Sequence, residues 1–88
     1  IRLKDKKYDE ALKFCDTALE INPNYVYALS YKGKLLFLQK KFSESLKYYE
    51  KALKIEPDNQ TAIFHKFKVE AELENEKKES LVKKFMKF

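Results

Sequence analysis

Few residues in this chain could make or break bonds. It holds one cysteine, Cys15, and one histidine, His65, among 88 residues. A single cysteine supplies neither an internal disulfide nor a multi-cysteine zinc site. A single histidine excludes a two-histidine metal site and leaves little basis for nucleophile–histidine catalysis. The one glycine, Gly33, is too few for a phosphate-cradling loop. Glu70, Glu72, Glu74, Glu76 and Glu79 crowd one polar stretch without a histidine or a convergent partner. Such a run reads as a solvated helix face. Cys15 falls on an apolar stripe, where a cysteine behaves as a small buried hydrophobe. No catalytic residue, metal or cofactor is therefore expected, and the chain is not expected to be an enzyme.

The elements that position these residues follow from composition. With one Gly and two Pro, the chain lacks the turn residues that an all-β domain needs every 8–12 residues or so. Lys, Glu, Leu and Ala are common, as in a helical protein. The run Leu35-Leu36-Phe37-Leu38 falls far short of the roughly 18 apolar residues of a membrane span. With no leader pattern and no disulfide to make, a cytoplasmic or other reducing intracellular location is expected.

The prolines Pro23 and Pro57 stand 34 residues apart, and the chain matches itself at that offset. Glu10 meets Glu44, Leu12 meets Leu46, Ala18 meets Ala52, Leu19 meets Leu53 and Ile21 meets Ile55. Each copy carries a stripe at i, i+3, i+4, i+7, i+10 and i+11, one face of an α-helix. The first is Tyr8, Ala11, Leu12, Cys15, Ala18 and Leu19; the second is Phe42, Ser45, Leu46, Tyr49, Ala52 and Leu53. The prolines end these helices, and Asn24 and Asp58 offer caps to the next ones. A helix from about Tyr25 to Leu38 follows, with Leu29, Gly33 and Leu36 on one face and Tyr27, Tyr31, Lys34 and Leu38 on another. Gly33 costs roughly 1 kcal/mol in mid-helix, which close helix–helix contact explains. The turn at Gln39-Lys40-Lys41 allows only an antiparallel hairpin.

The 34-residue period, the helix pair and the Gly, Ala and Pro positions resemble a tetratricopeptide repeat. In the second copy Leu29, Lys32, Gly33, Leu36, Ser45, Tyr49, Ala52 and Pro57 fill the pattern; in the first copy Ala11, Cys15, Ala18 and Pro23 do. Three positions depart from it. Lys32 replaces an apolar residue, Ser45 replaces Ala, and Lys6 and Lys40 stand where Gly often makes the turn. The resemblance implies an all-α fold, a right-handed α-α superhelix of antiparallel helix pairs, about two and a half repeats long. Residues 1–25 are expected to be the C-terminal part of a first repeat, residues 26–59 a complete repeat, and residues 60–88 a divergent third repeat or capping helices, with a turn near Glu74–Lys78. A single long helix from Gln60 is the competing reading. Ile1 to Asp5 align with Leu35 to Gln39, the tail of a first helix, so the chain reads as a fragment with more protein expected upstream.

The same resemblance implies a peptide-binding groove lined by the first helices of successive repeats. Carried over by the 34-residue offset, it places Tyr27, Tyr31 and Lys34 in line with Thr61, His65 and Lys68, and Ser30 and Phe37 in line with Phe64 and Ala71 on the neighbouring line. The places that clamp chaperone tails in some members hold Tyr31, Thr61 and His65 here, so two-carboxylate clamping is not implied. The net charge of +5 divides into 0, +3 and +2 over residues 1–25, 26–59 and 60–88, without a basic face. This argues against nucleic acid as partner and favours an acidic or apolar-acidic peptide. The expected function is a scaffold or adaptor for protein–protein interaction; self-association through exposed repeat ends is a further expectation. The alternative is a regulatory or scaffolding arm of a larger enzyme, such as an isomerase or transferase.

Overall fold

A computed structural model describes the backbone of residues 3–86 and the side chains of residues 7–86. Among these residues there are four α-helices and no strand: α1 (Leu3–Ile21), α2 (Val26–Leu38), α3 (Phe42–Ile55) and α4 (Gln60–Phe85). Helices pack in chain order. α2 lies against α1 and α3, α4 lies against α3, and α4 also touches α2. The result is an all-α stack of antiparallel pairs, about two and a half repeats long, and only 17 Å deep in its thinnest dimension.

The repeat is visible in the turns. After α1, Asn22 N donates to Ala18 O (2.9 Å) and Tyr25 N to Asn22 O (3.1 Å); after α3, Glu56 N donates to Ala52 O (2.9 Å) and Asn59 N to Glu56 O (3.1 Å). The same bonds recur at the same offset because Pro23 and Pro57 stop the ladder at the same register. The caps differ from expectation. Asn59, not Asp58, caps α4, its Oδ1 accepting from Ala62 N at 3.1 Å, while Tyr25 begins α2 without a side-chain cap. Asn24 instead donates its backbone N–H to Asn22 Oδ1.

The α2–α3 hairpin closes in a Schellman motif, with Lys41 N bonded to Leu36 O and Lys40 N to Phe37 O, both at 2.9 Å. Lys40 holds φ at 63°, the left-handed region in which glycine is at ease. The unusual residue therefore does not loosen the turn; it occupies a conformation that costs an L-residue about 1–2 kcal/mol.

Two expected turns are missing. α1 runs through residues 5–7 unbroken, and α4 runs through Glu74–Lys78 as one helix of 26 residues. Neither stretch has Gly or Pro, and their Lys and Glu are good helix formers, so nothing in either interrupts the backbone ladder. A polar segment in water serves a helix as well as a turn. The competing reading of the C-terminal segment is thus the one adopted, and no capping helix pair forms among the described residues. Ile1 and Arg2 of the expected leading helix tail lie outside the described residues.

The core is formed by Leu29, Tyr49, Ala52, Ala62 and Val69, with Leu19, Phe37, Phe42, Leu46, Leu53 and Leu73 packed around it. Both expected stripes face inward. Full burial of one large apolar side chain contributes about 1.5–3 kcal/mol. Ala52 and Ala62, both fully buried, let α3 and α4 approach closely. The two remaining departures from the repeat pattern also have physical roles. Ser45, fully buried, donates its hydroxyl to Gly33 O at 2.6 Å and ties α3 to α2. Lys32 pairs with Asp16 on α1 and lies 4.6 Å from the centre of the Tyr48 ring on α3, so one cation links three helices. Burial works against that charge, but the bonds to Asp16 and Tyr48 outweigh it and hold the Lys32 ammonium above the ordinary lysine range.

Candidate functional site

α2 and α4 present equivalent faces because they are equivalent parts of the repeat. Between them lies a recess of about 100 Å³, lined by Lys34, Phe37, Leu38, Tyr49, His65, Lys68 and Val69. Its floor is mainly apolar. Its rim carries two ammonium groups one period apart, Lys34 and Lys68, neither of which has an ion-pair partner among the described residues.

Gly33 makes this floor. A Cβ there would stand 3.0 Å from both Cε2 and Cζ of Tyr49. With no side chain at position 33, the α3 ring reaches through to α4 and stacks on His65, with centroids 5.6 Å apart and planes at 16°. Burial pushes the Tyr49 phenol up to about 12. Phe64 meets His65 edge-on at 5.5 Å, and Lys68 Nζ sits over Phe64 at 5.6 Å and Phe37 at 5.8 Å. Burial first, then the charges of Lys68 and Lys34, hold the His65 imidazole below the ordinary histidine range. Near neutral pH the recess therefore contains a neutral ring and two cations, a setting that favours an incoming carboxylate.

Of the expected groove residues, Lys34, Phe37, His65 and Lys68 come together here, with Phe64 beside them. Tyr27, Tyr31 and Thr61 are exposed further along the same helices, outside the recess. Tyr27 packs edge-on against Tyr25 at 6.0 Å. Ser30 turns its hydroxyl into a buried position without a hydrogen-bond partner. Three lining residues were not among those expected. Leu38 shares the stripe of Tyr27, Tyr31 and Lys34, so its signal was present. Tyr49 read as part of the inward stripe, and nothing in the sequence singled out Val69.

Sequence comparison fits this geometry. The tetratricopeptide-repeat profile matches residues 26–59, which are α2, the Schellman turn, α3 and the following loop. The chain carries a tetratricopeptide repeat. A second profile, the protein prenyltransferase alpha subunit repeat, matches residues 8–39, from α1 through α2. The two matches overlap on α2, which serves as the second member of one helix pair and the first of the next. No curated protein sequence matches the chain. The tetratricopeptide assignment makes this a helical repeat module of the kind that mediates protein–protein interaction.

Other groups have simpler readings. Cys15 is 3% exposed, and burial, then the Asp16 charge, push its thiol up despite the opposing effect of Lys32. A thiol raised in this way is a poor nucleophile. The lysines are less evenly spread than the sequence suggested. Lys47, Lys51 and Lys54 of α3 and Lys66 of α4 converge on one open cleft with Glu50. This follows from helix packing, which brings Lys66 across to a lysine row spaced i, i+4 and i+7. Among the described residues no cluster of His, Cys, Asp and Glu could hold a metal ion, and no helix is long and apolar enough to cross a membrane.

Proposed function

We propose that the chain is an adaptor whose tetratricopeptide groove binds an apolar-acidic segment of a partner protein. An aliphatic side chain fills the recess over Tyr49, Phe37 and Val69, and a neighbouring carboxylate lies between Lys34 and Lys68. The observation that carries this reading is the apolar floor of about 100 Å³ beneath two ammonium groups that have no ion-pair partner among the described residues. A volume of that order suits one side chain, and charged groups at the rim fix orientation and register. The module does no chemistry of its own. Its free, buried Cys15 suits a reducing compartment such as the cytoplasm.

A peptide array tests this reading. Each peptide carries one Leu followed by Asp or Glu, and controls carry Asn or Gln instead. Acidic members are expected to bind, and Lys34→Ala and Lys68→Ala to weaken them by about tenfold each, the loss expected for a charge-assisted bond. Ser30→Ala, which removes a hydroxyl facing inward, leaves binding unchanged. Equal capture of the acidic and amide series by all variants would refute the reading.

The match of residues 8–39 to a prenyltransferase subunit repeat favours a second reading, in which these helices are a scaffolding arm of a larger enzyme such as a transferase. In that case the groove is occupied by another part of the same assembly, and no free peptide on the array binds.

A further inference from the structure

α4 is much longer than its packing requires. Its buried residues end near Leu73, and every residue from Glu74 to Met86 is exposed. On the side opposite Ala62, Val69 and Leu73 runs the line Phe67, Ala71, Glu74, Lys78, Leu81 and Phe85. All six are exposed, with Phe67 at 67%, Leu81 at 53% and Phe85 at 77%. Their spacing is 4, 3, 4, 3, 4, the seam of a coiled coil with Ala71, Lys78 and Phe85 in one set and Phe67, Glu74 and Leu81 in the other. The line covers about 27 Å of helix at 1.5 Å per residue.

This seam reads the same in both directions about the level of Glu76. Laid antiparallel on itself, Phe67 meets Phe85, Ala71 meets Leu81 and Glu74 meets Lys78, and each pairing occurs twice. Every one matches a residue of one set with a residue of the other, as antiparallel packing requires. Ala71 against Leu81 sets small against large, Phe67 against Phe85 sets ring against ring, and the central charges are opposite. Along one flank Glu70 meets Lys84. The cost on that flank is Lys77, which meets its own copy and must turn its long stem outward. Neither Glu74 nor Lys78 has an ion-pair partner within the described part of the chain.

We propose that the seam is a two-fold homodimer interface, occupied by α4 of a second copy lying antiparallel. A self-complementary patch is what an isologous contact needs. Fewer than three heptads with charges at their centre make a small contact, at the weak end of specific interfaces, so the dimer is a weak, reversible one.

Sedimentation equilibrium of the full chain from micromolar to millimolar concentration tests this, with circular dichroism confirming the fold of each variant. The wild-type chain is expected to dimerise. Glu74→Lys places four lysines at the centre and Lys78→Glu places four glutamates, so each weakens the homodimer by about tenfold or more. Mixing these two variants restores a dimer, now a heterodimer, and the double variant E74K/K78E restores the homodimer. A wild-type chain that stays monomeric at millimolar concentration overturns the proposal. So does a dimer indifferent to the single charge changes, or a mixture that fails to recover.

Discussion

Lys40 offers the most direct test of the fold. It stands at the left-handed position of the α2–α3 Schellman turn with φ at 63°. An L-residue loses about 1–2 kcal/mol there because Cβ crowds the following carbonyl. Replacing it with glycine removes that cost but adds freedom to the unfolded chain, worth about 0.5–1 kcal/mol. The net gain for Lys40→Gly is about 0.5–1 kcal/mol, since the lysine side chain is exposed and contributes little of its own. For a domain of this size such a gain raises the melting temperature by about 3–6 °C. Lys40→Ala is the control: it removes the side chain, keeps Cβ and leaves the midpoint near that of the wild-type chain. Thermal and urea unfolding followed by helical circular dichroism read both variants, with the urea slope unchanged. If glycine and alanine gave the same midpoint, residue 40 would not be left-handed and the Schellman geometry of the hairpin would be wrong.

Two further outcomes follow from the recess. Gly33→Ala gains about 1 kcal/mol of helix propensity but presses a methyl group into the buried Tyr49 ring at 3.0 Å, where overpacking costs about 1–3 kcal/mol. A net loss of about 1 kcal/mol is expected, seen as a lower urea midpoint together with weaker capture of acidic peptides. His65 should titrate below the ordinary histidine value by NMR, and Lys68→Ala should move it back up. Because the folded chain binds the His65 proton less readily than the unfolded chain, stability is flat above the ordinary value near 6.5 and falls as pH drops through it, levelling once the folded-state value is passed. His65→Gln removes this pH dependence.

Much of the repeat was legible along the chain. The 34-residue offset, the inward stripes and the pairing of α2 with α3 follow from periodicity and from two prolines, which act locally and leave a local trace. The breaks at residues 5–7 and 74–78 were misplaced for the same reason. Polar residues permit a turn, but they do not compel one when Gly and Pro are absent. The site was only half legible. Lys34 and Lys68 stand one period apart, and Phe37 and His65 lie on the neighbouring lines of α2 and α4 that the same offset compares, so the offset found them. Tyr49 did not come from that pattern, because it is a core residue of α3 whose ring enters the recess only where Gly33 leaves room.

Sequence by itself therefore determined the helical class, the period and the inward faces, because each depends on residue type and spacing within a few turns of chain. Tertiary structure alone decided which side chains meet between helices. The Tyr49–His65 stack, the Ser45 bond to Gly33, the three-helix position of Lys32 and the open seam on α4 all depend on how closely one helix approaches another. That distance is set by the volumes of residues far apart in the chain, and no local pattern carries it.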